Sequence, residues 1–259
     1  MLPAVDSLIR PVLVREWTRQ LAGRRFELET GVLQVVAVHA AASGVSRVIK
    51  IGEETPKSRG DRMCLEVARR WADVIVLTGE ILRSEPALNY EWWSPTAEVG
   101  RALDGWRAET GHERAQSPWL VVMTRGSRLP PEHPVLRNPR TVICVPKDAE
   151  VDSGVSHVPV LRLPADDGRT VLDVCRSQLG AQRISIEAGP RTSVPFYEDP
   201  CCVDTLLCST YGGPLAPAVL SEDFVSRAAL TQRGRFLSEA QRVAGEDRQW
   251  THALWARNS

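Results

Sequence analysis

The segment from residue 32 to residue 78 constrains this chain more than any other. It opens with VLQVVAV (32–38), nearly all apolar, as in a strand covered on both faces. It closes with VIVLT (74–78), a second run of the same kind. A brief apolar stretch at 48–51 follows the first run, and a helix is expected over 58–71. There Met63, Val67 and Trp71 recur every four residues and form one apolar stripe, while Arg59, Arg62, Glu66, Arg69 and Arg70 are expected mostly to face water. A helix of that length between two buried strands reads as a βαβ crossover, implying a parallel pair in the sheet.

The rest of the chain extends that pattern. A second helix is expected from Ser94-Pro95, with serine as N-cap and proline at the first helical position. Its packing face is Val99, Ala102, Leu103 and Trp106. WLVVM (119–123) and TVICV (141–145) read as core strands, separated by a Pro-rich turn, and a weaker strand follows at 158–163. Residues 170–179 read as a helix stopped by Gly180, with Thr170 and Asp173 at the spacing of an N-terminal cap. Further strands are expected at 183–187 and 203–210, then a closing β-hairpin from 235–243 and 249–255. The fold class expected is α/β: a central mixed, mostly parallel sheet flanked by helices and closed by a C-terminal hairpin. Residues 31–259 would form this domain, with 1–30 as an N-terminal extension.

Charge narrows the function. Lys plus Arg and Asp plus Glu are both 32, so the chain carries no basic field to hold a polyanion, and nucleic acid is not an expected partner. No apolar run reaches the length of a bilayer-spanning helix, and the first residues lack the order of a signal peptide. A cytoplasmic protein without a membrane partner is expected. Cys64, Cys144, Cys175 and Cys208 sit in apolar segments and read as small hydrophobes, whereas the adjacent Cys201 and Cys202 are expected to be more open to oxidation. The five histidines form no metal-ligand spacing, and no metal is expected. His39, at the end of the first strand, would bond either to a ligand or to a neighbouring carbonyl. The pair Trp92-Trp93 would be a ligand wall or a cover over the sheet edge.

In an open α/β sheet, ligands bind beyond the carboxyl ends of the strands. Two glycine-bearing bends stand there: Thr78-Gly79-Glu80 and Glu187-Ala188-Gly189-Pro190-Arg191. Each glycine either lets a phosphate approach the main chain or simply makes a tight turn. Neither bend has the G-x-G-x-x-G spacing, and no phosphate-loop motif or G-x-S-x-G elbow occurs.

Three stretches, RWADVIVLTGEILRSEPAL (70–88), PWLVVMTRGSRLP (118–130) and ISIEAGP (184–190), resemble in wording and order the reductase domain of the bacterial riboflavin-biosynthesis proteins, the C-terminal domain of RibD. Val203-Asp204 and YGGP (211–214) continue the resemblance, which covers roughly residues 32–256. That family has a dihydrofolate-reductase-like fold and reduces the ribose-derived aldimine of a phosphorylated aminopyrimidine to a ribityl chain.

The resemblance implies NADPH as cofactor, contacted by Thr78, Gly79, Arg83, Glu187, Ala188, Gly189, Pro190 and Arg191. It implies a small-molecule substrate faced by His39, Ser43 and Glu85, and a homodimer. It assigns no catalytic residue. The zinc deaminase module that often precedes this reductase has no counterpart here, so deaminase chemistry is not expected. There are departures. ASG (42–44) lacks the aspartate of the family's S-L-D-G, and Glu85-Pro86 stands for Asp-Pro. NYE (89–91) lacks an arginine expected near a substrate phosphate, and Ala188 replaces the first glycine of E-G-G-P. Two functions follow: an NADPH-dependent reductase of a pyrimidine- or pterin-like molecule, or a catalytically degenerate relative used for ligand sensing or protein association.

Overall fold

A computed structural model of the chain describes residues 29–40, 45–50, 52, 54–90, 97–109, 117–125, 128–165, 167–198, 200–241 and 247–258. Residues 1–28, Ser43, the helix start at Ser94-Pro95 and Trp92-Trp93 lie outside them. In chain order the elements are β1 (Gly31–Ala40), β2 (Ser46–Ile49), α1 (Arg59–Trp71), β3 (Val74–Thr78), α2 (Gly79–Ser84), α3 (Ala97–Glu109), β4 (Trp119–Met123), α4 (Pro134–Arg137), β5 (Thr141–Pro146), β6 (Val160–Leu163), α5 (Gly168–Leu179), β7 (Arg183–Ile186), α6 (Pro190–Ser193), β8 (Thr205–Tyr211), β9 (Leu220–Asp223), α7 (Arg227–Arg233), β10 (Gly234–Gln241) and β11 (Trp250–Arg257).

The sheet runs β10-β11-β8-β1-β7-β3-β4-β5-β6, with β2 and β9 paired beside β1. Strands β8, β1, β7, β3, β4, β5 and β6 are mutually parallel, and β10 and β11 form the antiparallel closing hairpin. The mixed, mostly parallel sheet with flanking helices and a C-terminal hairpin is therefore the observed architecture. No helix among the described residues is long and apolar enough to cross a membrane.

Alternation along the strands supplies two cores. Leu33, Ile75, Leu77, Leu120 and Ile143 pack under α1 and α3, against Met63, Val67, Trp71 and Leu103. Val32, Val36, Val76, Val121, Ile184 and Ile186 pack on the other face under Val171, Leu172, Phe196 and Tyr197. Both faces of the sheet are thus covered, which is why its inner strands are largely apolar.

Four expectations need correction. First, β1 and β3 are parallel but not neighbours: β7 lies between them and pairs with both. The α1 crossover spans a gap that a later strand fills. Second, Glu66 and Arg70 are buried rather than wet. The flank of α1 that carries Arg70 is covered by α3, where Arg70 Nη1 meets Asp104 Oδ1 at 2.9 Å. Third, α5 begins earlier than Thr170, because Asp167 is its N-cap and accepts from the Thr170 amide at 2.7 Å. The stop at Gly180 holds, with φ at 68°. Fourth, among the cysteines Cys201 is buried, so the adjacent pair is not equally open to oxidation. Burial pushes the Cys144 thiol up to about 12 and that of Cys208 to about 11, which leaves both inert at neutral pH.

Two carboxylates tie the amino-terminal rim of the sheet. Asp73 accepts from Arg183, Arg107 and the amides of Gln182 and Arg183. Asp204 accepts from the Val32 amide at 2.8 Å and from Arg257 at 2.7 Å. That rim is stitched shut by charge. The carboxyl-terminal rim carries the bends singled out from the sequence.

Candidate functional site at the carboxyl rim of the sheet

Val76 of β3 sits opposite Ile186 of β7 in a parallel ladder, and the Glu187 amide donates to the Val76 carbonyl at 2.8 Å. Carrying the register two residues on puts Thr78 beside Ala188. Both bends therefore leave the sheet at one rim, side by side.

The two glycines differ in why they are there. At Gly79 a Cβ would lie 2.8 Å from Leu129 Cδ2 and 3.3 Å from Arg83 Nη1 and Thr124 Oγ1, so packing within the chain demands a small residue. Thr78 caps α2, its hydroxyl accepting from the Ile81 amide at 3.3 Å. At Gly189 a Cβ would meet nothing within 4 Å, and φ is −63°, which any residue adopts. Neither crowding nor backbone conformation in the folded chain requires glycine there. The space beside it is open.

Glu187 is committed elsewhere. Its Oε1 accepts from Arg69 Nε at 2.8 Å, and its Oε2 accepts from Arg69 Nη2 at 2.7 Å and from the Tyr90 hydroxyl at 2.5 Å. Arg69 Nη2 also reaches the Tyr90 oxygen at 3.2 Å, and the guanidinium lies 4.5 Å from the centre of the Tyr90 ring. Burial, with Glu187 beside it, holds the Tyr90 phenol well above its usual range, so it stays a neutral donor. This three-residue lock fixes the start of the 187–189 bend. Sequence reasoning missed both partners: Arg69 lies off the apolar stripe of α1, and Tyr90 sits in a stretch noted only for a missing arginine.

The other expected residues divide. Arg83 is exposed, its Nη1 3.4 Å from the Arg128 carbonyl, beside Gly79. Pro190 opens α6 and is buried, and Ala188 is partly covered. Arg191 is exposed and paired with Glu222. Glu85 ends α2 half-buried; burial raises its carboxyl, opposed by Arg69 and reinforced by Glu187. His39 lies near the end of β1, with Nε2 2.9 Å from the Gly213 carbonyl oxygen. That contact is with a backbone carbonyl, one of the two partners expected for His39. Ser43 lies outside the described residues.

No protein-family model and no curated protein matches this chain. Solved structures do. Acinetobacter baumannii RibD is 18% identical with a TM-score of 0.60, over 89% of this chain and 58% of that one, so the chain spans little more than half of that protein. A pyrimidine reductase-like protein from Corynebacterium diphtheriae is 15% identical with a TM-score of 0.59, over 97% of this chain and 100% of that one. The Saccharomyces cerevisiae riboflavin biosynthesis reductase Rib7 is 12% identical with a TM-score of 0.58, over 95% and 99%. At these identities the likeness is one of fold, and the fold of this chain is the one shared by RibD, the pyrimidine reductase-like protein and Rib7.

Proposed function

We propose that this chain is an NADPH-dependent reductase acting in the cytoplasm on a pyrimidine- or pterin-like small molecule. The observation that carries the reading is the pairing of β3 with β7, which brings the Thr78-Gly79 and Ala188-Gly189 bends to one rim. The solved structures of the same fold include a riboflavin biosynthesis reductase and a pyrimidine reductase-like protein, which supports it.

The residues present fit the cofactor. Open space at Gly189 lets a phosphate reach the main chain, and exposed Arg83 supplies a cation beside the other bend. When bound, the nicotinamide supplies the hydride. This chain's residues position and exclude. The Arg69–Glu187–Tyr90 lock holds the bend in place before any ligand arrives, which lowers the ordering cost of binding. Glu85, with its raised carboxyl, keeps a proton to higher pH than a free glutamate does, on the side of the rim assigned to substrate.

Titration with NADPH, read by tryptophan or dinucleotide fluorescence, tests the reading: saturable binding is expected, and none at millimolar cofactor would remove it. A second reading, binding without turnover, draws on the internal commitments of Glu187 and Arg191. NADPH oxidation coupled to a reduced acceptor would reject that second reading.

A further inference from the structure

Two charged side chains of the 187–191 bend are held by other parts of the chain, and the two are held differently. The Arg69–Glu187 pair is enclosed, its side chains 22% and 8% exposed. Arg191 is joined through Nε to Oε1 of Glu222, and those side chains are 76% and 45% exposed. Solvent reaches the second pair and hardly reaches the first.

Arg191 stands within one turn of the open Gly189. The amides of Thr192 and Ser193 both donate to the Gly189 carbonyl, at 3.0 and 2.9 Å, so this stretch is a single tight turn. A Cβ at Gly189 would meet nothing within 4 Å. Glu222 arrives from elsewhere. It belongs to β9, which pairs with β2, and β2 pairs with Val38, His39 and Ala40 at the end of β1. Gln34 lies opposite Ile186, the last residue of β7, so the end of β1 runs past β7 and the β2–β9 ribbon stands at the carboxyl rim. The ribbon is fixed there. Arg47 Nε and Nη2 donate to the Ser221 carbonyl at 2.9 and 2.6 Å, and the Phe224 amide donates to the Ser46 carbonyl at 2.8 Å. A held strand thus presents Glu222 to a cation of the bend.

A carboxylate and a phosphate compete for one guanidinium, because both accept its forked N–H groups. Magnitudes decide which wins. An exposed ion pair shifts its equilibrium by about fivefold at most. The phosphates of a dinucleotide bring several acceptor oxygens and more than one negative charge. We propose that Glu222 is a displaceable stand-in for ligand phosphate: in the free chain it occupies Arg191, and a phosphate of the bound dinucleotide takes its place. Glu222 then sets affinity from outside the bend, as a competitor built into the fold. This inference rests on the reading of the rim as a dinucleotide site.

Fluorescence titration of the full chain with NADPH tests it, in the parent, Glu222→Gln, Arg191→Gln and the double variant. Glu222→Gln is expected to tighten the dissociation constant about threefold, the worth of one exposed ion pair. Arg191→Gln is expected to weaken it about fivefold or more. The double variant should match Arg191→Gln alone, since without the guanidinium Glu222 has nothing to withhold. A gain from merely removing a negative charge would persist there. Urea midpoints close to the parent's are expected throughout, because both side chains are exposed. An unchanged or weaker constant in Glu222→Gln, or a gain that survives in the double variant, overturns the inference and leaves the dinucleotide reading standing. A urea midpoint that moves together with the binding constant makes the pair a structural tie and overturns it too. No saturable binding by the parent at millimolar NADPH removes the reading and the inference together.

Discussion

Gly189 and Gly79 look alike in the sequence and are opposites in the structure. Gly189→Val places its branches in open space and in an allowed backbone conformation. We expect urea stability within about 0.5 kcal/mol of the parent, but at least a tenfold weaker NADPH dissociation constant, about 1.4 kcal/mol. Equal losses of binding and stability would make Gly189 a structural turn only. Arg69→Met leaves the Glu187 carboxylate buried without its cation, and we expect about 3 kcal/mol or more of lost stability. Tyr90→Phe removes one hydrogen bond to the same carboxylate, at a cost of about 1.5–3 kcal/mol. Denaturant titrations of both variants check the order; a larger loss for Tyr90→Phe would mean that the ion pair is not the anchor. At this scale the sequence marked the right bend but not the reason for its residues. Glu187 reads as a ligand group until α1 and residue 90 are folded against it.

Elements meet on contacts that local propensity does not foresee. Gly60 lies in the first turn of α1, where a Cβ would fall 2.3 Å from Nε2 of the buried His252 on β11. Alanine is the better helix former by up to about 1 kcal/mol. We nevertheless expect Gly60→Ala to destabilise the fold, by about 1–3 kcal/mol, through overpacking. A gain in denaturant midpoint would show that the helix has room to move.

The Asp73 hub makes a pH prediction. Burial alone would raise this carboxyl, but the hydrogen bond and charge of Arg183 outweigh it and hold it below its ordinary 3.8. The folded state binds that proton more weakly than the unfolded chain, so the contribution is present above the ordinary value and fades as pH falls through the folded one. Asp73→Asn should cost about 2 kcal/mol or more at pH 7. The gap to the parent should close below pH 3.8, and denaturation curves at pH 7 and pH 3 read it. A gap independent of pH would mean that the charge does not act through the hub.

At the scale of the molecule, the C-terminal hairpin is part of the core. Strand β11 pairs with β8 from Trp250 opposite Tyr211 to Ala256 opposite Thr205, and it buries Trp250, Leu254 and Trp255. A chain ending before Gly234 should lose cooperative unfolding, bind a hydrophobic dye and elute as aggregate, because β8 would expose an open edge and one core would lose its wall. A monodisperse truncated chain with a sharp unfolding transition would contradict this. The expected elements largely fall where the apolar runs put them: β3 at 74–78, β4 at 119–123, the stop at Gly180 and the closing hairpin. Those signals are local, carried by alternation, by a fourfold stripe and by the conformational freedom of one glycine. Strand order is not local. That β7 slides between β1 and β3, and that Arg69 and Tyr90 meet Glu187, were settled when segments about a hundred residues apart packed together. No window of sequence holds both members of such a pair, and partner choice depends on which buried faces and charges remain to be satisfied once the sheet has closed.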